Sequence, residues 1–141
     1  MQQRNNNANA DRRRVVISSR ANPVVKQIRA LSSRKQRERS GLFFVDGLHL
    51  VAAAAQQQAE IETCVVAPEL LTSAFGRELA RALAQKGAQM VEVTADVFYS
   101  LAAKEHAQGI GVVARQRWLD LARVRPQAGQ CWVALDTVHY P

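Results

Sequence analysis

The stretch LFFVDGLHLVAAAAQQQAEIETCVVA, residues 42–67, decides the fold class. It opens with Leu42-Phe43-Phe44-Val45, an apolar run rich in strand formers. Asp46-Gly47 ends that run with turn residues. A helix follows from Leu48 to Gln58, with four alanines supplying helix propensity and Gln56-Gln57-Gln58 at its exit. Ile61 to Ala67 is a second strand, and Pro68 closes it. Strand, helix and strand joined by short connections form the unit of a layered α/β sheet.

The alternation continues on both sides. Downstream, Leu70 to Lys86 reads as a helix with Leu71, Phe75, Leu79 and Leu83 on its buried face and Gly87 just beyond its end. Gln89 to Thr94 and Ile110 to Ala114 read as strands, with a short helix from Asp96 to Ala103 between them. Trp118 to Arg125 reads as a linking helix, and Cys131 to Val138 as a fifth strand buried on both faces. Upstream, Asn22-Pro23 is a helix start, because Asn caps free amides and Pro needs no hydrogen bond in the first turn. That helix should run to Ser40 and stop at Gly41. The fold predicted is a layered α/β/α domain with a mainly parallel central sheet. The expected organisation is a disordered basic head over 1–14, a folded domain over 15–117, and a linker with the first strand of a further domain over 118–141. An exposed apolar end of that kind predicts that a chain ending near Arg125 stays folded and gains solubility.

Positive charge is concentrated at one end. The first forty residues hold eleven of the nineteen Lys and Arg, against only Asp11 and Glu38. On the helix that starts at Asn22, Val24, Ile28 and Leu31 share one side, and Lys26, Arg29, Ser33 and Arg37 the other. Arg34, Lys35 and Arg39 broaden the cationic stripe. Charged helix faces are ordinarily just solvated, but so uneven a distribution points to a polyanion, most simply nucleic acid.

Other chemistries find little support. No apolar run approaches the ~20 residues of a membrane span, and the polar N-terminus is unlike a secretory signal, so the expected location is cytoplasmic. Cys64 and Cys131 have no ligand partners at metal spacing and read as reduced core cysteines. Asp46-Gly47 reads as a turn in preference to a catalytic carboxylate. Gly109 and Gly111 enter a strand, unlike the glycines of phosphate loops, and read as points of close backbone approach. His49, His106 and His139 are scattered; exposure is the simpler reading for His106. Tyr99 and Trp118 are the aromatics available for base stacking, although core packing is the default for both.

Three local patterns also occur in a fixed order. They are Asn22-Pro23 with Lys26, Leu31 and the cluster Arg34, Lys35, Arg37; then Phe43-Phe44-Val45-Asp46-Gly47; then Gln108-Gly109-Ile110-Gly111-Val112-Val113. This order resembles the N-terminal substrate-binding domain of the SpoU (TrmH-like) RNA ribose 2′-O-methyltransferases over residues 15–141. Asp46, Ala107 and Tyr140 depart from that family's Glu, Pro and Asp. The resemblance implies a fold similar to small ribosomal proteins that bind kinked RNA. It also implies a role docking ribosomal or transfer RNA for a knotted catalytic domain that uses S-adenosylmethionine and is usually homodimeric. The family's catalytic and cofactor motifs come after the position of Pro141, so this chain is expected to bind RNA, hold no cofactor or metal, be inactive in methyl transfer alone, and be monomeric. The RNA-binding residues expected are Lys26, Arg29, Arg34, Lys35, Arg37 and Arg39. The alternative is a stand-alone RNA- or ribosome-binding protein.

Overall fold

The computed structural model describes residues 16–102 and 107–133. The basic head 1–14, His106 and the part of the expected fifth strand beyond Val133 lie outside the described residues. Two helices come first, α1 (Pro23–Ala30) and α2 (Arg34–Ser40), then strand β1 (Leu42–Asp46) and helix α3 (Leu48–Gln56). They are followed by β2 (Ile61–Val66), α4 (Ala74–Gln85), β3 (Gln89–Glu92), α5 (Ala95–Tyr99) and β4 (Ile110–Arg115). A single 3-10 turn, Leu121–Arg123, lies beyond the sheet.

The strands form one sheet in the order β1-β4-β2-β3. The mixed α/β class is as expected, and three of the four strands run in one direction. Strand β4 runs against them between β1 and β2, so the β1–β4 and β4–β2 ladders are antiparallel and β2–β3 is parallel. Ile17 extends the β3 edge by a parallel bridge to Val93.

Alternation along the strands builds two cores, one on each face of the sheet. Val65, Val91 and Val113 meet Val25 and Ile28 of α1 and Val97 and Phe98 of α5. Cys64, Val66, Ile110 and Val112 meet Val51 of α3 and Ala80 and Leu83 of α4. Val25, Val51, Phe98 and Ile110 are fully buried, and each such side chain contributes roughly 1.5–3 kcal/mol of hydrophobic stabilisation. The layers are therefore α1 and α5, the sheet, then α3 and α4.

Several expectations are corrected. The helix expected from Asn22 to Ser40 breaks at Leu31-Ser32-Ser33, where Ser33 is extended (φ −79°, ψ 129°) and starts α2 afresh. Helix α4 begins at Ala74 because the Ser73 hydroxyl caps Gly76 N–H (3.3 Å); Leu71 is buried before the helix, and Phe75 turns out to solvent at 58% exposure. Trp118 to Arg125 is not a helix apart from the 3-10 turn. Cys131 is exposed, as are Trp132 and Val133, and none of the three is in a strand. No helix among the described residues is long and apolar enough to cross a membrane.

Candidate nucleic-acid interface

Helix α2 buries none of its side chains. Its position depends on its neighbours. Asn22 caps α1 by accepting from Val24 N–H (2.9 Å). At the other end of α1, the Arg37 guanidinium reaches back and donates to the carbonyls of Leu31 (3.0 Å) and Ser32 (2.7 Å). These carbonyls are freed by the helix break, so Arg37 fixes the angle at which α2 leaves α1. Gly41, in the left-handed region at φ +68°, ends α2.

The six cations expected to meet RNA divide by what they touch. Lys26, Lys35 and Arg39 are exposed, and their side chains have no hydrogen bond or ion pair among the described residues. Arg34 is exposed and pairs with Glu38 one turn on (2.7 Å). That hydrogen bond, and then the opposite charge, raise the Arg34 pKa. Arg29 is half-buried and ties α1 to the end of α5, donating to Ser100 Oγ (2.8 Å) and to the Ser100 carbonyl (3.4 Å). Arg37 is half-buried in its own clamp. The surface thus presents four cations and is held by two.

Arg117, absent from the six cations expected to meet RNA, is exposed and makes no ion pair among the described residues. The Gln116 N–H donates to the Gly41 carbonyl (2.7 Å), and Trp118 comes to line a cleft with Arg34 and Arg37 of α2, while Arg117 lines a groove with Phe43 and Gln57. Trp118 is 84% exposed and Tyr99 48%, against the core reading made for both. The run Arg115-Gln116-Arg117-Trp118 carried the available signal, a basic cluster against an aromatic. Cations elsewhere are largely compensated. Arg115 pairs with Glu60 (3.2 Å) and Glu62, Arg81 with Glu78 (2.9 Å), and Arg20 with Asp96, whose carboxyl is held below its usual range by that hydrogen bond.

The other two sequence patterns meet at the start of α3. Gly47 N–H donates to the Ile110 carbonyl (2.9 Å), and Gln108 Oε1 accepts from Leu48 N–H (2.8 Å), capping the helix from sixty residues away. Gly109 sits at φ +73°, and a Cβ there would lie 2.6 Å from Leu71 N and 2.7 Å from the Ala67 carbonyl oxygen. A Cβ on Gly111 would lie 2.6 Å from the Phe44 ring. Asp46 closes β1, paired with Gly111, and Gly47 at φ +99° alone makes the bend into α3; the close-approach reading of the two later glycines holds. His49 is exposed on the first turn of α3.

Residues 22–112 match the family model of the MRM3-like substrate binding domain. The chain belongs to this family. All three sequence patterns begin inside the matched span, and the resemblance to the N-terminal domain of SpoU methyltransferases is borne out. Two solved structures share the substrate-binding-domain fold closely. One is an RNA 2′-O ribose methyltransferase, with a TM-score of 0.70 and 26% identity over 80% of this chain and 42% of that one. The other is an rRNA methyltransferase from Sinorhizobium meliloti, with a TM-score of 0.68 and 28% identity over 82% of this chain and 42% of that one. The latter protein has also been solved with AdoMet bound. A SpoU methyltransferase, AviRb from Streptomyces viridochromogenes, shares the fold at 22% identity and a TM-score of 0.64, over 75% of this chain and 40% of that one. The chain therefore spans less than half the length of these relatives. No curated protein matches it.

Proposed function

We propose that this domain docks an RNA substrate for ribose 2′-O-methylation, with the α1–α2 face as the phosphate-binding surface. The observation that carries the reading is α2 itself. A helix that buries no side chain adds nothing to the core, yet Arg37 holds it in place and it presents Arg34, Lys35 and Arg39 to solvent. Such a surface neutralises phosphates and sets position without reading sequence. Lys26, Arg34, Lys35 and Arg39 make the contacts; Arg29 and Arg37 place the helices and add their charge to the local potential. The family match and the RNA-modifying relatives support RNA over other polyanions, and the S. meliloti relative favours ribosomal RNA.

The methyl donor belongs to a catalytic unit that this domain serves. The groove beside α4 is a poor match for S-adenosylmethionine. The groove between α4 and β3, about 530 Å³, is lined by aliphatic side chains with Arg77, Arg81 and Glu92, a donor set with two cations facing a sulfonium. No step of methyl transfer is assigned to this chain.

Filter binding of ribosomal RNA fragments across a salt series tests the reading. The triple substitution Arg34→Glu, Lys35→Glu, Arg39→Glu should weaken binding at least tenfold near 0.1 M salt. It should also lower the slope of log affinity against log salt by about 2, since each lost contact removes ~0.7–0.9. A slope equal to that of the unsubstituted protein would place the interface elsewhere.

A further inference from the structure

Beside α2 lies a cleft of about 490 Å³ lined by Arg34, Arg37, Glu38, Gly41, Gln116 and Trp118. Its composition is unusual for this molecule. It holds two guanidiniums, one carboxylate, one carboxamide and one indole, and no aliphatic side chain. Trp118 is 84% exposed and belongs to neither core cluster. The backbone bond from Gln116 to Gly41 (2.7 Å) anchors the chain at the end of α2, two residues before the indole.

We infer that this cleft takes one unpaired nucleotide of the docked RNA, with its base stacked on Trp118 and its phosphate on Arg34. The inference rests on the RNA reading above and adds a site to it. An indole face accepts any base, and aromatic stacking is a common device for holding bases that have left a helix. Glu38 and Gln116 supply acceptors and donors for a base edge. The Arg34–Glu38 pair is solvent-exposed on both sides, so it is held weakly and opens to release Arg34 to a phosphate and Glu38 to an exocyclic amine. A protein partner fits the cleft less well. The neighbouring groove that Trp118 also lines has Phe43, Ala59 and Leu119 beside Arg115 and Arg117, whereas this cleft has no aliphatic side chain to offer and would leave a protein partner to bury two guanidiniums.

The full chain with Trp132→Phe leaves Trp118 as the one tryptophan. Its fluorescence is followed as single-stranded cytidine oligonucleotide, a fully paired RNA duplex, or heparin is added. Stacking predicts saturable quenching by the single strand, and little by duplex or heparin at concentrations that saturate binding. Trp118→Ala should weaken single-strand binding about tenfold with an unchanged salt slope, and Trp118→Phe should restore most of it. RNA binding that saturates without quenching, or equal quenching by heparin, overturns the nucleotide site while leaving the docking surface intact. Emission that is blue-shifted and shielded from iodide before RNA is added shows the indole covered by protein, and also overturns it. Failure of every RNA to bind defeats both readings together.

Discussion

Cys64 shows how placement alone alters a side chain's chemistry. It is fully buried between β2 and the α3–α4 layer, and burial pushes its thiol up to about 12 from the ordinary 9. Between about pH 9 and 12 the unfolded chain releases this proton while the folded chain keeps it. The unfolded state then binds fewer protons, so stability falls as pH rises through that window, by at most about 1.4 kcal/mol per pH unit, and is unaffected below it. Urea midpoints measured from pH 8 to 10.5 should therefore fall more steeply for the native chain than for Cys64→Ala. Parallel curves would remove Cys64 from the pH dependence. The two cysteines look alike in the sequence, each inside an apolar run, yet Cys131 is exposed. Apolar neighbours in sequence do not ensure cover; that takes a second layer, which Cys64 has and Cys131, among the described residues, does not.

The elements that bear the proposed function are placed by polar contacts that periodicity does not encode. Periodicity over residues 22–40 supports one helix; it places Ile28 and Leu31 on the buried face, but Val25 is fully buried there and the expected Val24 only partly so. The helix breaks where Ser33 turns extended, and Arg37 satisfies the Leu31 and Ser32 carbonyls that the break frees. The same device recurs before α4, where Arg77 donates to the Leu71 (3.3 Å) and Thr72 (2.7 Å) carbonyls behind the cap at Ser73. Leu31-Ser32-Ser33 with Arg37 and Leu71-Thr72-Ser73 with Arg77 share the same spacing, which is the signal by which the break was legible. Arg37→Ala should cost about 1–2 kcal/mol, the worth of charge-assisted bonds to otherwise unpaired carbonyls. Arg34→Ala should change stability by less than about 0.5 kcal/mol, because its pair with Glu38 is exposed. Urea unfolding followed by circular dichroism separates the two; equal losses would mean that Arg37 is no clamp.

On the scale of the whole molecule, the sheet and its two cores close before Gln116. The described residues from Pro126 to Val133 are exposed and join neither core. A chain ending at Arg125 should keep its unfolding free energy, measured in urea, to within about 0.5 kcal/mol of the longer one and gain solubility. A large loss would show that the C-terminal stretch completes the fold. The layered α/β class, the strand positions, the caps at Asn22 and Gly41 and the cationic character of residues 26–39 follow from local pattern and composition. These depend on neighbours a few residues apart, so the chain by itself determined them. The reversal of β4 between β1 and β2, the capping of α3 by Gln108, the internal use of Arg29 and Arg37, and the approach of Trp118 to α2 were decided only by the tertiary structure. Each joins groups distant in sequence or selects among equivalent cations by where their carbonyl and carboxylate partners come to lie, and no periodicity records that.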